Sequence, residues 1–196
     1  MFRNIGKKED YKEFSKFGKS TYRIMWSYKP VMIDDSDSSE SEITQYEDPV
    51  FASWMQETFS EKPDLLQIKK IILDNINSEI DKRILNGFSW NDGNGMVINV
   101  YLSSENQFNY KAAYDLAYQT NGNSLPFVLK FGEIDNPQYY MFNDLDKFTD
   151  FYTSCINFIN STLQEGWNQK DSIDWSKYED AVEIKQTNKT RKKKAS

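Results

Sequence analysis

The chain has 196 residues, a net charge of −6, one Cys and no His. The lack of His removes Ser-His and Cys-His nucleophile pairs, His-based metal triads and the usual general base, and a single Cys excludes an intrachain disulfide and a multi-Cys zinc site. The acidic balance argues against bulk attraction to nucleic acid, and no apolar run approaches the length of a bilayer crossing.

This length suits one ordinary domain with extensions. Hydrophobic residues make up only 38%, so burial must lean on large rings, here thirteen Phe, twelve Tyr and five Trp. The first residues, MFRNIGKKEDYKEF, carry no apolar signal-peptide core, and the expectation is a product kept in a cytoplasm or packed into a particle. Residues 1–20 read as an N-terminal extension with six basic and three acidic side chains. Tyr11, Phe14 and Phe17 stand three apart, which allows a short amphipathic helix. A partly ordered extension and an arm docking on a neighbouring subunit both remain open.

Residues 21–33, TYRIMWSYKPVMI, read as a strand arm. Tyr22, Ile24, Trp26 and Tyr28 fall on one face at period two, and Pro30 points to a sheet edge or a strand exit. These aromatics bury against the chain's own core or add a strand to a partner sheet. On the second reading, Tyr22, Trp26 and Tyr28, together with Trp54, are candidate partner-binding residues. Residues 34–48 hold seven acidic side chains and no basic one, and read as a solvated linker whose spacing fits no calcium loop.

An α+β domain is expected over residues 49–183. Asp48 and Pro49 look like the cap and first position of a helix carrying Val50, Trp54 and Met55. Pro63 opens a second helix, in which Ile68, Ile72, Ile76, Ile80 and Ile84 recur every four residues. That stripe reads as core, with oligomerisation as the alternative. Asn86-Gly87 ends it. GFSW (87–90) and MVINVYL (96–102) flank NDGNG, a hairpin turn rather than a calcium loop, because the expected bidentate Glu is missing. A helix follows with Ser104 and Gln107 as a capping box, Asn121-Gly122 as the stop, and Phe108, Ala112 and Leu116 beside Ala113 and Ala117 as its packing face. LPFVLKFG (125–132) and YYMFN (139–143) form a second hairpin.

Asn143 caps a long helix with Leu145, Phe148, Tyr152, Cys155, Ile156, Ile159 and Leu163 on its stripe, and Gly166 is expected to end it. Cys155 on that stripe reads as an inert core thiol. Asp144 and Asp146 sit in the first turn, where they complement the helix dipole. DSIDWSKYEDAVEI (171–184) reads as a capped short helix. Residues 184–196 are a basic tail in which Lys189, Arg191, Lys192, Lys193 and Lys194 are candidate contacts to a polyanion or to an acidic partner surface. The fold class is therefore α+β: a small antiparallel sheet of hairpin strands packed with three to four helices, and an N-terminal strand arm. No cofactor is called for.

The string LSSENQFNYKAAYDLA, followed by LPFVLKFG and then DSIDWSKYE (171–179), resembles a domain family of tailed bacteriophages. Its members occur at the ends of tail-fibre-like chains or as short proteins encoded among virion genes. The similarity extends back through PDLLQIKKIILDNINSEIDKRILNGFSW (63–90) and weakly to WSYKPV (26–31), about two-thirds of the chain. Where the family has Trp in the second hairpin strand, this chain has Tyr101. The resemblance implies no catalytic residues. It implies a structural or adaptor component of a virion, associated with the tail or with a head or tail fibre. Its partners would be other phage structural proteins (fibre, tail or portal-proximal), in a symmetric oligomer. Location would be the virion, with host cytoplasm during assembly. The alternative is a transient fibre-assembly chaperone. A carbohydrate-active enzyme working through two carboxylates ranks behind both.

Overall fold

The computed structural model describes residues 2–17, 19–31, 51–133 and 135–179. The strands are β1 (Phe2–Lys7), β2 (Phe14–Phe17), β3 (Thr21–Val31), β4 (Phe51–Phe59), β5 (Phe88–Asn91), β6 (Val97–Val100), β7 (Phe127–Glu133) and β8 (Asn136–Phe142). The helices are α1 (Leu65–Asn86), α2 (Ser104–Gln119), α3 (Leu145–Asp171) and the single turn α4 (Ser176–Glu179), and a 3₁₀ turn covers Lys8–Asp10. This is the expected α+β mixture. The chain forms two compact units, one through Leu73 and from Ile173, the other Asp74–Ser172.

The first unit is a four-stranded antiparallel sheet in the order β1-β4-β3-β2. The segments expected as an extension and an arm are strands of this sheet, and residues 11–17 form no helix. The helix expected from Asp48 onward is instead β4, an inner strand; Asp48, Pro49 and Val50 lie outside the described residues. Ala52 through Gln56 are all buried, so the strand has covered residues on both faces. Such a strand loses its polar alternation, and a helical spacing can then be read into it by chance.

Pro30 is not on a sheet-long edge, since β3 lies between β4 and β2. β2, however, pairs only with Thr21 to Ile24, so β3 outlasts its neighbour before Pro30 is reached. The missing N–H of Pro30 therefore breaks no ladder on that side. A register shift between Trp26 and Lys29, with Ser27 at φ 55°, marks a bulge. The extra residue flips the alternation. Tyr28 consequently packs with Met25, Ala52, Trp54 and Tyr11 rather than on the Ile24–Trp26 face. The 173–179 segment joins this unit. Of the stretch expected as one capped helix over 171–184, Asp171 instead ends α3, Ile173 and Trp175 precede α4, and residues 180–184 lie outside the described residues. The Asp174 carboxylate accepts from the Ser176 N–H at 3.1 Å, and the Tyr178 hydroxyl donates to the Met25 carbonyl at 2.8 Å.

The start of α1 is set by Asp64 rather than Pro63. The Asp64 carboxylate accepts from the Gln67 N–H at 2.7 Å, and the Gln67 carboxamide oxygen accepts from the Asp64 N–H at 3.0 Å, a reciprocal capping box. Ile68, Ile72, Ile76 and Ile80 are buried as their spacing predicts. Asn86-Gly87 ends the helix, with Gly87 at φ 68° and its N–H donating to Arg83 and Ile84 carbonyls. A Cβ on Gly87 would lie 1.7 Å from the Val100 carbonyl oxygen, so the backbone passes closer here than any side chain allows.

The second unit holds two separate two-stranded sheets, β5-β6 and β7-β8, where the sequence suggests one small sheet. Their inward residues Trp90, Ile98, Val100, Phe131 and Phe142 share one core with Tyr110 and Ala117 of α2 and with Phe148, Phe151 and Cys155 of α3. Phe142 and Phe148 stack at 4.5 Å. Phe151 is ringed by Trp90, Tyr110, Phe131 and Phe142, with centroids 5.1 to 5.5 Å away. Most of these pairs are edge-on or tilted, as the quadrupoles of the rings prefer.

Two helix details depart from expectation. The cap of α2 is Ser103, whose hydroxyl accepts from the Asn106 N–H at 3.2 Å, and the Gln107 side chain bonds the Leu102 carbonyl. Its buried face is Tyr110 and Ala117, not Phe108, Ala112 and Leu116. α3 is capped by Asp144, not Asn143, through the Lys147 N–H at 2.8 Å. It runs straight through Gly166, because the glycine is there for close packing: a Cβ would meet Ile80 Cγ1 at 2.7 Å.

Candidate interaction surface

The strongest outward feature of the second unit is the face of the β7-β8 hairpin turned away from its core. Side chains alternate across a strand, so Phe127, Leu129 and Phe131 face inward while Val128 and Lys130 face out. On β8, Phe142 and Tyr140 face inward while Tyr139 and Met141 face out. The register sets Val128 directly opposite Met141 and Lys130 opposite Tyr139. Val128 is 53% exposed, Met141 52% and Tyr139 61%. Three large apolar side chains on one face of one hairpin are a contiguous patch rather than scattered exposure. Lys130 supplies a single positive charge at its side.

The outer face of α2 carries a second set. Phe108 and Leu116 are exposed, and with Ala112 they stand at four-residue steps along one side of the helix. Of the packing face that the sequence marks, Phe108, Ala112 and Leu116 point outward, while Ala113 and Ala117 beside them do pack in the core. The apolar residues that fill the core, Tyr110, Ala113, Tyr114 and Ala117, form the opposite stripe. Two tyrosines at helical spacing from two alanines are a weaker apolar signal than Phe and Leu, so the wrong stripe looks the more hydrophobic.

The residues singled out for partner binding lie in the first unit. Trp26 and Trp54 are buried, 2% and 1% exposed, so neither offers its ring to another molecule. The Trp54 indole N–H donates to the Gln56 carboxamide oxygen at 3.3 Å. Tyr28 is half-buried and packs edge-on against Tyr11 at 5.0 Å. Tyr22 is also half-buried, with the Lys16 ammonium 5.4 Å from its ring centroid. Lys189, Arg191, Lys192, Lys193 and Lys194 lie outside the described residues.

Acidic groups with perturbed chemistry all have local explanations. The Asp92 carboxylate accepts the N–H groups of Asn94 and Met96 at 2.8 and 2.9 Å and the Tyr140 hydroxyl at 3.4 Å. The Asn94 N–H, chief among these, holds the carboxyl below its usual range. Asp92 therefore organises the NDGNG turn, and Lys147 fastens the turn to α3 by donating to the Asp92 carbonyl at 2.7 Å. Burial pushes the Cys155 thiol up to about 12 from an ordinary 9.0. Among the described residues, no group of three or more His, Cys, Asp or Glu side chains is placed to hold a metal ion, and no helix is long and apolar enough to cross a membrane.

No protein-family model matches the chain, and neither a curated protein nor a solved structure matches it.

Proposed function

We propose that the chain is a structural or adaptor component of a tailed-phage particle, working through protein–protein contacts made by its second unit. The observation that carries this reading is the exposed Val128–Met141 and Lys130–Tyr139 face of the β7-β8 hairpin. A rigid hairpin anchored through Phe131 and Phe142 holds those side chains in fixed register, as a docking surface requires. The resemblance of residues 63–90, 102–117, 125–132 and 171–179 to virion-associated phage proteins supports the particle context.

The same exposed face also favours the second reading, a chaperone that covers fibre chains transiently and leaves before the particle is complete. Quantitative mass spectrometry of salt-washed particles separates the two. A fixed ratio to the major capsid protein supports a virion part. Abundance in infected lysate with none in particles moves the reading to the chaperone. Removing residues 1–33 is no test of attachment, because it deletes three of the four strands of the first sheet. The suitable variant is Val128→Ser with Tyr139→Ser, which should leave the fold intact and reduce incorporation into particles. Unchanged incorporation would refute the hairpin as the contact surface.

A further inference from the structure

The second unit also contains an open groove, lined by residues with polar groups, that the adaptor reading does not use. It has a volume of about 190 Å³ and is lined by Asn99, Tyr101, Gly132, Asn136 and Gln138. Its position follows from the strand registers. Gln138 lies opposite Phe131 and shares the inward face of the β7-β8 hairpin, two residues nearer the turn than Tyr140. The carboxamide thus faces inward at the hairpin's turn end. Across the groove, Asn99 and Tyr101 follow the outward alternation of β6, whose inward residues are Ile98 and Val100.

We propose that this groove is a subsite for one neutral sugar residue. Three of its lining residues, Asn99, Asn136 and Gln138, carry carboxamides, and a carboxamide can both donate and accept. A sugar hydroxyl does the same, so paired amide–hydroxyl contacts are the natural complement. The Ser89 hydroxyl donates to the Asn99 carboxamide oxygen at 2.9 Å, which fixes that side chain and leaves its NH₂ to be given away. The Tyr101 carbonyl is turned inward, accepting from the Asn106 side chain at 3.0 Å. Among the described lining residues none is charged, so none of these offers a counter-ion to a phosphate, sulfate or carboxylate.

A peptide strand is the chemical competitor, since it too carries amide donors and acceptors. Peptide recognition on a sheet takes its specificity from apolar pockets for alternate side chains, and the described lining holds no aliphatic residue. The volume lies below the range of drug-sized sites, which suits one ring of a longer glycan rather than a whole ligand. Positive φ at Gly132, 80°, belongs to the same construction: a Cβ there would meet the Asn136 carbonyl oxygen at 2.6 Å and displace the strand that carries Asn136 and Gln138.

The test uses the full chain labelled with ¹⁵N, read through the side-chain amide resonances of Asn99, Asn136 and Gln138. The probes are the methyl glycosides of glucose, galactose, mannose and N-acetylglucosamine, with triglycine and inorganic phosphate as competitors. The expected result is saturable shifts of those three amides with at least one glycoside. Gln138→Ala should weaken that binding about tenfold, the worth of one or two neutral hydrogen bonds. Asn136→Ala serves as the second variant, and the backbone amide spectrum reports whether each variant remains folded. Three results would overturn the proposal: no saturable shift with any of the four glycosides, shifts with triglycine or phosphate in their place, or glycoside binding unchanged in both variants.

Discussion

Replacing Gly166 by Ala sets two known magnitudes against each other. In a helix interior the exchange gains about 1 kcal/mol of backbone propensity. Against that, the new methyl would sit 2.7 Å from Ile80 Cγ1 and 3.1 Å from its Cδ1. Ile80 is buried on α1, and a β-branched side chain in a helix has one strongly preferred χ1 rotamer, so it yields poorly. Overpacking of this kind costs about 1–3 kcal/mol. The expected net effect is a destabilisation of about 1 kcal/mol, or a fall of about 2–4 °C in melting temperature for a chain of this size. The decisive control is Ile80→Ala. It costs about 2–5 kcal/mol alone, but it removes both close atoms and leaves Cβ at 3.7 Å, an ordinary contact. In that background Gly166→Ala should become stabilising by about 1 kcal/mol, a reversal of sign. Urea denaturation of the four proteins measures the cycle. If Gly166→Ala raises the midpoint in the parent protein, the close-packing explanation of this glycine is wrong.

Tyr178→Phe removes the hydroxyl bonded to the Met25 carbonyl at 2.8 Å and should cost about 1 kcal/mol, lowering the urea midpoint without changing the helix content seen by circular dichroism. The Cys155 thiol, protonated in the folded chain up to about 12 and ionising near 9.0 once unfolded, should resist iodoacetamide at pH 8 until denaturant is added. Because its folded pKa is raised, as is that of Tyr11 from 10.0 to about 12, the stability these groups contribute is complete below pH 9 and is lost as pH rises from there toward 12. Rapid alkylation of the folded chain, or a flat stability profile over that window, would count against the burial described. Asp92 behaves in the opposite sense: its folded pKa is lowered, so its contribution is present above the ordinary carboxylate value and disappears as pH falls through the folded one. Acid should therefore lower the amide-exchange protection factors of Asn94 and Met96, relative to intrinsic rates at the same pH, before those of β7-β8.

Where apolar spacing coincided with burial, the sequence was a good guide. The Ile68–Ile80 stripe, both hairpins and the buried position of Cys155 are all legible in it. It misled where a polar or small residue carried the structural information. Gly166 resembles a stop signal, and only the position of Ile80 shows it to be a packing site. Phe108 and Leu116 outweigh Tyr110 and Ala117 in any apolar count, yet the latter pair faces the aromatic core. β4 is covered on both faces, which erases the period-two pattern that identifies a strand. The bulge at Ser27 could not be read from local sequence, and it moves Tyr28 to the opposite face from the one predicted. Of the groove, Asn99, Asn136 and Gln138 are isolated polar residues on hairpin strands, and nothing in their spacing brings them together before the strand registers are known.

The closure of the first unit by α4 bears on how the chain is made. Tyr178 reaches Met25 across 153 positions of sequence, and Lys177 reaches Glu13 across 164. The second unit, Asp74–Ser172, is one uninterrupted stretch and can complete itself as it leaves the ribosome. The opening strands emerge first but obtain their final buried hydrogen bond last. During synthesis the Met25 carbonyl therefore obtains the Tyr178 bond only after a further 153 positions have been made. A chain truncated between residues 172 and 178 would hold a complete second unit and an unfastened first one.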